Sequence, residues 1–277
     1  MFRRGRRRDA PAATAPVSRG EAGHALRAPS RLHAFNRYEI KYLVDRSLVD
    51  GLRAEFRGRL DVDDFAARGG YPVWSLYYDT PRLRFYWEKI EGLRFRRKLR
   101  LRRYGEDPGA PVFVEIKQRV NRVTQKRRVG MSYEQARVLC DDRRMIDYDR
   151  SGRAFLEEVL GLVDGLDLRP IAMTGYQREA YVGRDSDVGL RVTLDHRIRG
   201  RDRDLHLDAM NPENRFVIPP HLAVLEVKAN DRVPYWLTDL TAQRNLSVVR
   251  VSKYCQSVEA FGRAPRSVHH VPSRAER

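Results

Sequence analysis

One stretch constrains the fold of this chain more than any other, the run GLRFRRKLRLRRY over residues 92–104. Read as a β-strand, the run places four cations on one face and both Leu99 and Leu101 on the other. The four cations are Arg96, Lys98, Arg100 and Arg102. Because neighbours on one strand face lie roughly 6.5–7 Å apart, the cations repel each other and predict an anionic group opposite them. A solvated edge strand is the alternative interpretation.

The tripeptide pattern Glu-(Ile or Val)-Lys occurs three times, each time among residues that favour strands. In each pattern the carboxylate and the ammonium share one face of the strand, and the aliphatic side chain lies on the other. The patterns are Glu39-Ile40-Lys41, Glu115-Ile116-Lys117 and Glu226-Val227-Lys228. The repetition predicts a charged interior surface and an apolar outer face that is covered by helices.

The net charge of +17 over 277 residues implies an anionic partner, which could be nucleic acid, anionic lipid or a polyanionic small molecule. The two cysteines, Cys140 and Cys255, provide neither a disulfide framework nor zinc-ligand spacing, so a reducing cytoplasm is the simplest setting. No apolar run approaches the ~20 residues of a membrane-spanning helix. The arginine-rich start also lacks the hydrophobic region of a signal peptide.

Composition divides the chain into three segments. Residues 1–30 are rich in Arg, Ala, Pro and Gly, and we expect a disordered basic tail that could dock on an acidic or membrane-associated partner. Residues 31–263 alternate between strand and helix patterns and are predicted to form one folded domain. Residues 264–277 are predicted to be a second disordered tail.

About eight strands are predicted within the domain, joined by turns or single helices. Residues 85–91 are interpreted as leading through a hairpin into the basic strand. Ser252 is predicted to cap a final helix, whose N-terminus beside Lys253 is suited to binding an anion. In the strand over residues 190–198, one face is predicted to carry Arg191, Thr193, Asp195 and Arg197.

Eight strands close into a barrel that is just wide enough to be filled by side chains or by one ligand. Cations alone cannot fill such an interior, because buried charges must be paired. The few glutamates cannot neutralise so many cations, whereas a polyphosphate with its metal ion could. The sequence therefore predicts an α+β fold, an eight-stranded antiparallel β-barrel with flanking helices, that holds a triphosphate-sized ligand.

Nine short motifs in a fixed order resemble those of a known family. The motifs are EIKY, SLYYDT, KLRLRR, EIK, QKRR, YQREAY, RVTLD, LEVK and SKY, within residues 33–262. They resemble the VTC domain, the polyphosphate polymerase branch of the triphosphate tunnel metalloenzymes. The resemblance implies an antiparallel tunnel of eight strands. It also implies an ATP-dependent polymerase that transfers the γ-phosphate of a nucleoside triphosphate to a growing polyphosphate chain, with Mn²⁺ or Mg²⁺.

The resemblance also implies which residues form the site. Its catalytic set is Lys41, Arg100, Arg102, Lys117 and Glu226, with Glu226 as the metal ligand. Its phosphate-binding set is Lys126, Arg178, Arg191, Lys228, Ser252 and Lys253. Strand parity adds Arg96 and Lys98 to that set. Hydrolases of the superfamily open with Glu-x-Glu-x-Lys, whereas Arg37 stands at the first glutamate position here. The missing glutamate agrees with a transferase rather than a hydrolase.

Several residues have alternative roles at this point. Glu226 could hold a metal, since Mg²⁺ and Mn²⁺ prefer oxygen ligands, or it could pair with Lys228. Glu39 and Glu115 are expected to orient lysines by ion pairing, and Asp195 could take either role. Aromatic residues near the basic strand are interpreted as packing residues, namely Tyr77, Tyr78 and Trp87.

Three functions stay open. The first is the polymerase, the second is a tunnel-type triphosphatase acting on inorganic or nucleoside triphosphate, and the third is a non-catalytic polyphosphate or polyanion-binding module. A nucleic-acid-binding sheet would need exposed aromatic residues among its cations. In the first strand, aromatic residues and cations largely occupy opposite faces, which argues against nucleic acid.

Overall fold

The structure, a computed structural model, describes residues 37–264 except positions 67–68, 122, 211 and 231. The predicted tail over residues 1–30 lies outside the described residues, as does the second tail beyond residue 264. The strands are β1 (Arg37–Asp45), β2 (Leu60–Val62), β3 (Tyr71–Asp79), β4 (Phe95–Tyr104), β5 (Val112–Val120), β6 (Val123–Met131), β7 (Arg169–Gly183), β8 (Arg191–Arg201), β9 (Arg215–Phe216) and β10 (Leu222–Asn230). The helices are α1 (Val49–Arg59), α2 (Arg84–Ile90), α3 (Tyr133–Cys140), α4 (Arg150–Gly165), α5 (Tyr235–Gln243) and α6 (Lys253–Ala260).

Eight of the strands form one antiparallel sheet in the order β1-β10-β8-β7-β3-β4-β5-β6, with β2 paired to β7 and β9 paired to β8. The sheet curls, so that Lys117 Nζ on β5 lies 3.1 Å from Glu39 Oε2 on β1. Among the described residues, β1 and β6 share no backbone ladder. The predicted eight-stranded antiparallel fold with flanking helices is confirmed, and side chains rather than a ladder join β1 to β5 across the curl.

The outer face of the sheet is apolar and lies under helices, as the alternation predicts. On β4, Leu99 and Leu101 are fully buried in a cluster with Leu139 of α3 and Leu156 of α4. A second cluster joins β1, β8 and β10 to α1 and α5, with members that include Tyr42, Val192, Leu225, Leu52, Phe56 and Leu237. Each fully buried leucine contributes about 1.5–3 kcal/mol, so the outer face holds the curled sheet and its helices together.

The inner surface, meaning the concave face of the curled sheet, is apolar in one region and charged elsewhere. Val73, Tyr176 and Val224 share strand parity with the charged inner residues, and they are buried together with Ile198. Helix α6 also packs on this face, where Tyr254 stacks on Tyr77 with ring centroids 5.0 Å apart. This packing brings the first residues of α6 to the charged part of the inner surface.

Residues 85–91 contradict the hairpin interpretation, because they form most of helix α2. The buried carboxylate of Asp79 accepts hydrogen bonds from the backbone N–H groups of Phe85 and Tyr86 at 2.9 and 3.0 Å. These N–H groups lack partners within the helix, so Asp79 stabilises its first turn from six residues away. Helix N-caps normally precede the first turn directly, which is why this signal was missed.

Arg197 does not continue the predicted inner face of β8. Its φ is +50°, and the pairing between β7 and β8 shifts register at Gly175 and Gln177. Such a bulge reverses the facing of the residues that follow it. Arg197 is therefore exposed, and Ile198 joins the inner apolar cluster instead. Among the described residues, no helix is long and apolar enough to cross a bilayer.

Candidate anion-binding surface

The basic strand β4 presents its cations to the inner surface, as predicted. Leu99 and Leu101 are buried in the outer core, so Lys98 and Arg100, which alternate with them, lie on the opposite face. The outer-facing arginines have local partners, because Arg97 Nη2 donates to Glu88 Oε1 at 2.8 Å. The alternation therefore separates the cations that make structural ion pairs outside from those available to a ligand inside.

Glu115 is the buried carboxylate opposite the basic strand. Arg100 Nε donates to Glu115 Oε2 at 2.7 Å, and Lys126 Nζ lies 2.7 Å from Glu115 Oε1. Burial raises the pKa of Glu115, but the charges of Arg100, Arg102 and Lys126 outweigh burial and hold it well below its usual range. The prediction that Glu115 orients lysines by ion pairing is met at Lys126, and Arg100 is an additional partner.

Asp195 is a second buried carboxylate and joins three elements. Arg178 of β7 donates to it through Nε and Nη2, at 2.7 and 2.8 Å. Lys253, the first residue of α6, donates to Asp195 Oδ2 at 2.6 Å. Although burial raises the pKa of Asp195, these two cations lower it to about 2. Of its two open roles, ion pairing is the one observed.

Glu39 and Glu226 form a third group of carboxylates on β1 and β10. Glu226 forms an ion pair with Lys228, and Glu39 Oε1 lies 2.9 Å from Lys41 Nζ. Burial raises the pKa of Glu226, but the charges of Lys228 and Lys41 hold it well below its usual range. Both carboxylates are therefore ionised, and each is already paired with a lysine.

Lys98 lies in the middle of the cations without a carboxylate partner among the described residues. Its Nζ donates to Ser252 Oγ at 2.7 Å and lies 5.7 Å from the centre of the Tyr254 ring. Burial lowers the pKa of Lys98 to about 8, and the charges of Lys41 and Lys117 add to that effect. A lysine that is disfavoured in its charged form would be stabilised by an anion.

Most predicted site residues converge on the inner surface, and two lie at its margins. Arg191 Nη1 lies 2.6 Å from Asp63 Oδ2, so a loop carboxylate holds its guanidinium. Arg96 lies near Arg119 and Arg250. Burial lowers the pKa of Arg96, and the charges of these two arginines lower it further. The remaining predicted cations line the region between Glu115, Asp195 and Glu226.

Aromatic rings lie among the cations of the inner surface. The sequence analysis did not anticipate this, because it placed aromatic residues and cations largely on opposite faces of the first strand. The Arg178 guanidinium lies 5.1 Å from the centre of the Tyr176 ring, and that of Arg128 lies 4.7 Å from the Phe113 ring. Tyr176 is 4% exposed, so its ring packs against cations and is not free to stack on a nucleobase. Buried rings of this kind differ from an open nucleic-acid platform.

Tyr77 is the site residue that sequence reasoning missed. Its ring packs on Tyr254, but its hydroxyl also accepts a hydrogen bond from Arg100 Nη1 at 3.2 Å. Tyr77 shares strand parity with Ser75, which accepts a hydrogen bond from Arg102 Nε at 3.0 Å. The strand alternation therefore places Tyr77 on the inner face, but it does not reveal the contact with Arg100. Tyr78 faces the outer core, as a packing residue should.

The carboxylates limit how a metal could bind. Among the described residues, no cluster of three or more His, Cys, Asp or Glu side chains is arranged to hold a metal ion. Glu226 is ionised and faces the inner surface, so it fits a single carboxylate ligand. Mg²⁺ and Mn²⁺ are commonly bound by one or two carboxylates while phosphate oxygens and water complete the coordination. The surface thus suits a metal that arrives with a phosphate ligand.

Comparisons with known proteins show which proteins this chain resembles. The model of the VTC domain family matches residues 36–261. The chain is 28% identical over 240 residues to vacuolar transporter chaperone complex subunit 4 of Trypanosoma cruzi (strain CL Brener), and 25% identical over 236 residues to the protein of that name from Trypanosoma brucei brucei (strain 927/4 GUTat10.1). Each match covers 71% of this chain and 29% of the relative, so this chain matches less than a third of each relative's length.

Among solved structures, a proposed adenylate cyclase from Bacillus halodurans aligns with a TM-score of 0.48 at 11% sequence identity. The alignment covers 82% of this chain and 98% of that one.

Proposed function

Because this chain belongs to the VTC domain family, we propose that it is an ATP-dependent polyphosphate polymerase. In this proposal the inner surface binds a nucleoside triphosphate together with Mn²⁺ or Mg²⁺. The γ-phosphate is transferred to the end of a growing polyphosphate chain. The two free, buried cysteines support a cytoplasmic setting, and the basic residues 1–30 would bind an acidic or membrane-associated partner.

The observation that carries the proposal is the excess of cations on one concave surface. Its carboxylates are already paired, so they leave little negative charge for the cations that remain. Among the described residues, the one side-chain hydrogen bond of Lys98 goes to the neutral hydroxyl of Ser252. A triphosphate supplies several negative charges along a short chain, and charge-assisted hydrogen bonds from arginine and lysine are the strong class of such bonds. A phosphate chain therefore matches the surface in charge.

The proposed chemistry requires positioning more than reactive groups. Arg100 and Arg102 would hold the transferred phosphoryl group, and Lys98 and Lys253 would hold the oxygens next to it. The terminal oxygen of the acceptor chain would attack the γ-phosphorus, the bond from that phosphorus to the β,γ-bridging oxygen would break, and ADP would leave, so no protein nucleophile is needed. Glu226 would ligate the divalent cation, which when bound offsets charge on the phosphates.

The direct test is to incubate the purified chain with ATP and Mn²⁺ or Mg²⁺ and to separate long polyphosphate from free phosphate. Polymer that grows with time supports the proposal. Free phosphate without polymer would instead identify a tunnel-type triphosphatase. Binding of polyphosphate without turnover would identify a binding module.

A pair of variants on β6 provides a matched control. Lys126 contacts Glu115 on the inner surface, whereas the adjacent Arg127 contacts Glu158 of α4 outside. Lys126→Ala should weaken triphosphate binding about tenfold, since a hydrogen bond to a charged group contributes roughly 1.5–3 kcal/mol. Arg127→Ala should leave binding unchanged. Equal effects on titration with triphosphate would contradict an inner binding surface.

A further inference from the structure

Tyr77 occupies an unusual chemical position on the inner surface. It is 5% exposed, and its hydroxyl oxygen accepts a hydrogen bond from Arg100. The Arg100 guanidinium also lies 5.8 Å from the centre of the Tyr77 ring. A phenol in these surroundings has its oxygen engaged by a cation while its own proton is still available to donate.

That proton has no acceptor within the described part of the chain. Arg100 is the one hydrogen-bonding partner found there for the Tyr77 hydroxyl, and an arginine can only donate. Leaving a buried donor unsatisfied is costly. The groups around the hydroxyl are cations, so an anionic ligand is the natural source of an acceptor.

We propose that Tyr77 contacts the substrate directly, donating its hydroxyl hydrogen bond to a phosphate oxygen that Arg100 also holds. The inference rests on the proposed function in that the inner surface must bind phosphate. It adds a tyrosine hydroxyl to the phosphate-binding groups, which are otherwise cations and the Ser252 hydroxyl, and it gives the first tyrosine of the SLYYDT motif a binding role.

Packing against Tyr254 holds the Tyr77 hydroxyl in position. The Tyr254 ring stacks on Tyr77, and the Tyr254 hydroxyl donates to the buried carboxylate of Asp79. Asp79 also stabilises the first turn of α2 through Phe85 and Tyr86. Tyr254 and Asp79 are therefore positioning residues, which fix the ring of Tyr77 against Arg100.

The charges that face Tyr77 give the contact a measurable signature. They come from Arg100, Arg102 and Lys98 of β4. Helix α6 packs the side chains of Tyr254 and Cys255 into the same cluster as Tyr77. Burial raises the pKa of the Tyr77 hydroxyl, but the three cations outweigh burial and lower it to about 7. An anion that neutralises these cations must raise that pKa again, so anion binding should take up a proton above about pH 7.

The test compares the wild-type 277-residue chain with Tyr77→Phe, using inorganic triphosphate as the probe. Calorimetry in buffers of different ionisation enthalpy measures affinity and proton uptake together, and the ultraviolet tyrosinate band reports the phenol directly. Tyr86→Phe is the matched control, because the Tyr86 hydroxyl contacts Glu259 at 3.2 Å. Lys98 also takes up protons, and Tyr77 is among the groups that raise its pKa, so the tyrosinate band rather than the proton count isolates Tyr77.

We expect Tyr77→Phe to weaken triphosphate binding about tenfold and to lose part of the proton uptake. The wild-type tyrosinate band should rise near pH 7 and disappear when triphosphate is added. Wild-type affinity and proton uptake in Tyr77→Phe would overturn the contact while leaving the proposed function intact. A wild type that does not bind triphosphate would overturn both.

Discussion

Replacement of Glu115 by glutamine should destabilise the ligand-free protein and strengthen its binding of triphosphate. The side chain of Glu115 is 1% exposed and contacts Arg100 and Lys126 at 2.6 and 2.7 Å. Glutamine keeps the size and removes the charge, so two cations lose their shared counterion. The same carboxylate repels any phosphate that Arg100 holds, and that repulsion disappears in the variant.

The magnitudes follow from burial and distance. Removing one partner of a buried ion pair costs about 3–5 kcal/mol. Because the Lys126 side chain is 39% exposed, water can solvate it, and we expect the lower end, about 3 kcal/mol. For a domain of this size that lowers the melting temperature by about 6–12 °C. A repulsion removed across about 6–8 Å is worth roughly 2 kcal/mol, which corresponds to more than tenfold in Kd.

Thermal unfolding with and without triphosphate, together with calorimetric titration, measures both effects. Glu158→Gln is the control. Glu158 of α4 pairs at the outer surface with Arg127, the neighbour of Lys126 on β6, and the side chains of Glu158 and Arg127 are 38% and 43% exposed. Exposed pairs contribute at most about 1 kcal/mol. A Glu115→Gln protein that melts like the control, or that binds triphosphate more weakly than the wild type, would refute the reasoning.

Two further predictions concern Glu226 and Lys98. Glu226→Gln should remain folded and bind triphosphate but lose most metal-dependent turnover, as measured with ATP across a range of Mn²⁺ concentrations; unchanged metal dependence would make Glu226 an ion-pair partner only. The pKa of Lys98 falls on folding from 10.5 to about 8, so its cost to stability is full below about pH 8 and disappears as the pH approaches 10.5. The ligand-free protein should therefore gain stability across that window in denaturant unfolding, and Lys98→Met should show a smaller gain than the wild type.

The outer and inner faces of the sheet could be predicted from the sequence because the side-chain period of a strand is fixed. Alternation in β4 assigns Leu99 to the core and Arg100 to the inner surface without knowledge of the pairing partners. The same reasoning failed at Arg197, where a bulge reverses the facing of later residues. A bulge depends on how two strands align, and that alignment is absent from either strand's own pattern.

The site could be predicted in its residue types but not in its pairing. The role of Glu39 as an ion-pair partner followed from its spacing to Lys41. Glu115 is also an ion-pair partner, but its partners are Arg100 and Lys126 on the neighbouring strands. Asp195 stayed ambiguous because Lys253, one of its partners, lies 58 residues away in sequence. Tyr77 was interpreted as packing because tyrosines in strands usually pack, and only the three-dimensional position of Arg100 shows that its hydroxyl is engaged.

The alternation in β4 also means that one short segment carries two sets of positions that can change independently. Substitutions at Lys98, Arg100 and Arg102 alter the charge offered to a ligand without touching the packing of Leu99 and Leu101. An engineer could therefore change Lys98 and keep the scaffold, whereas a change at Arg100 would also remove an ion-pair partner of the buried Glu115. Inserting or deleting a single residue within β4 would exchange the two sets, sending leucines to the inner surface and arginines into the core.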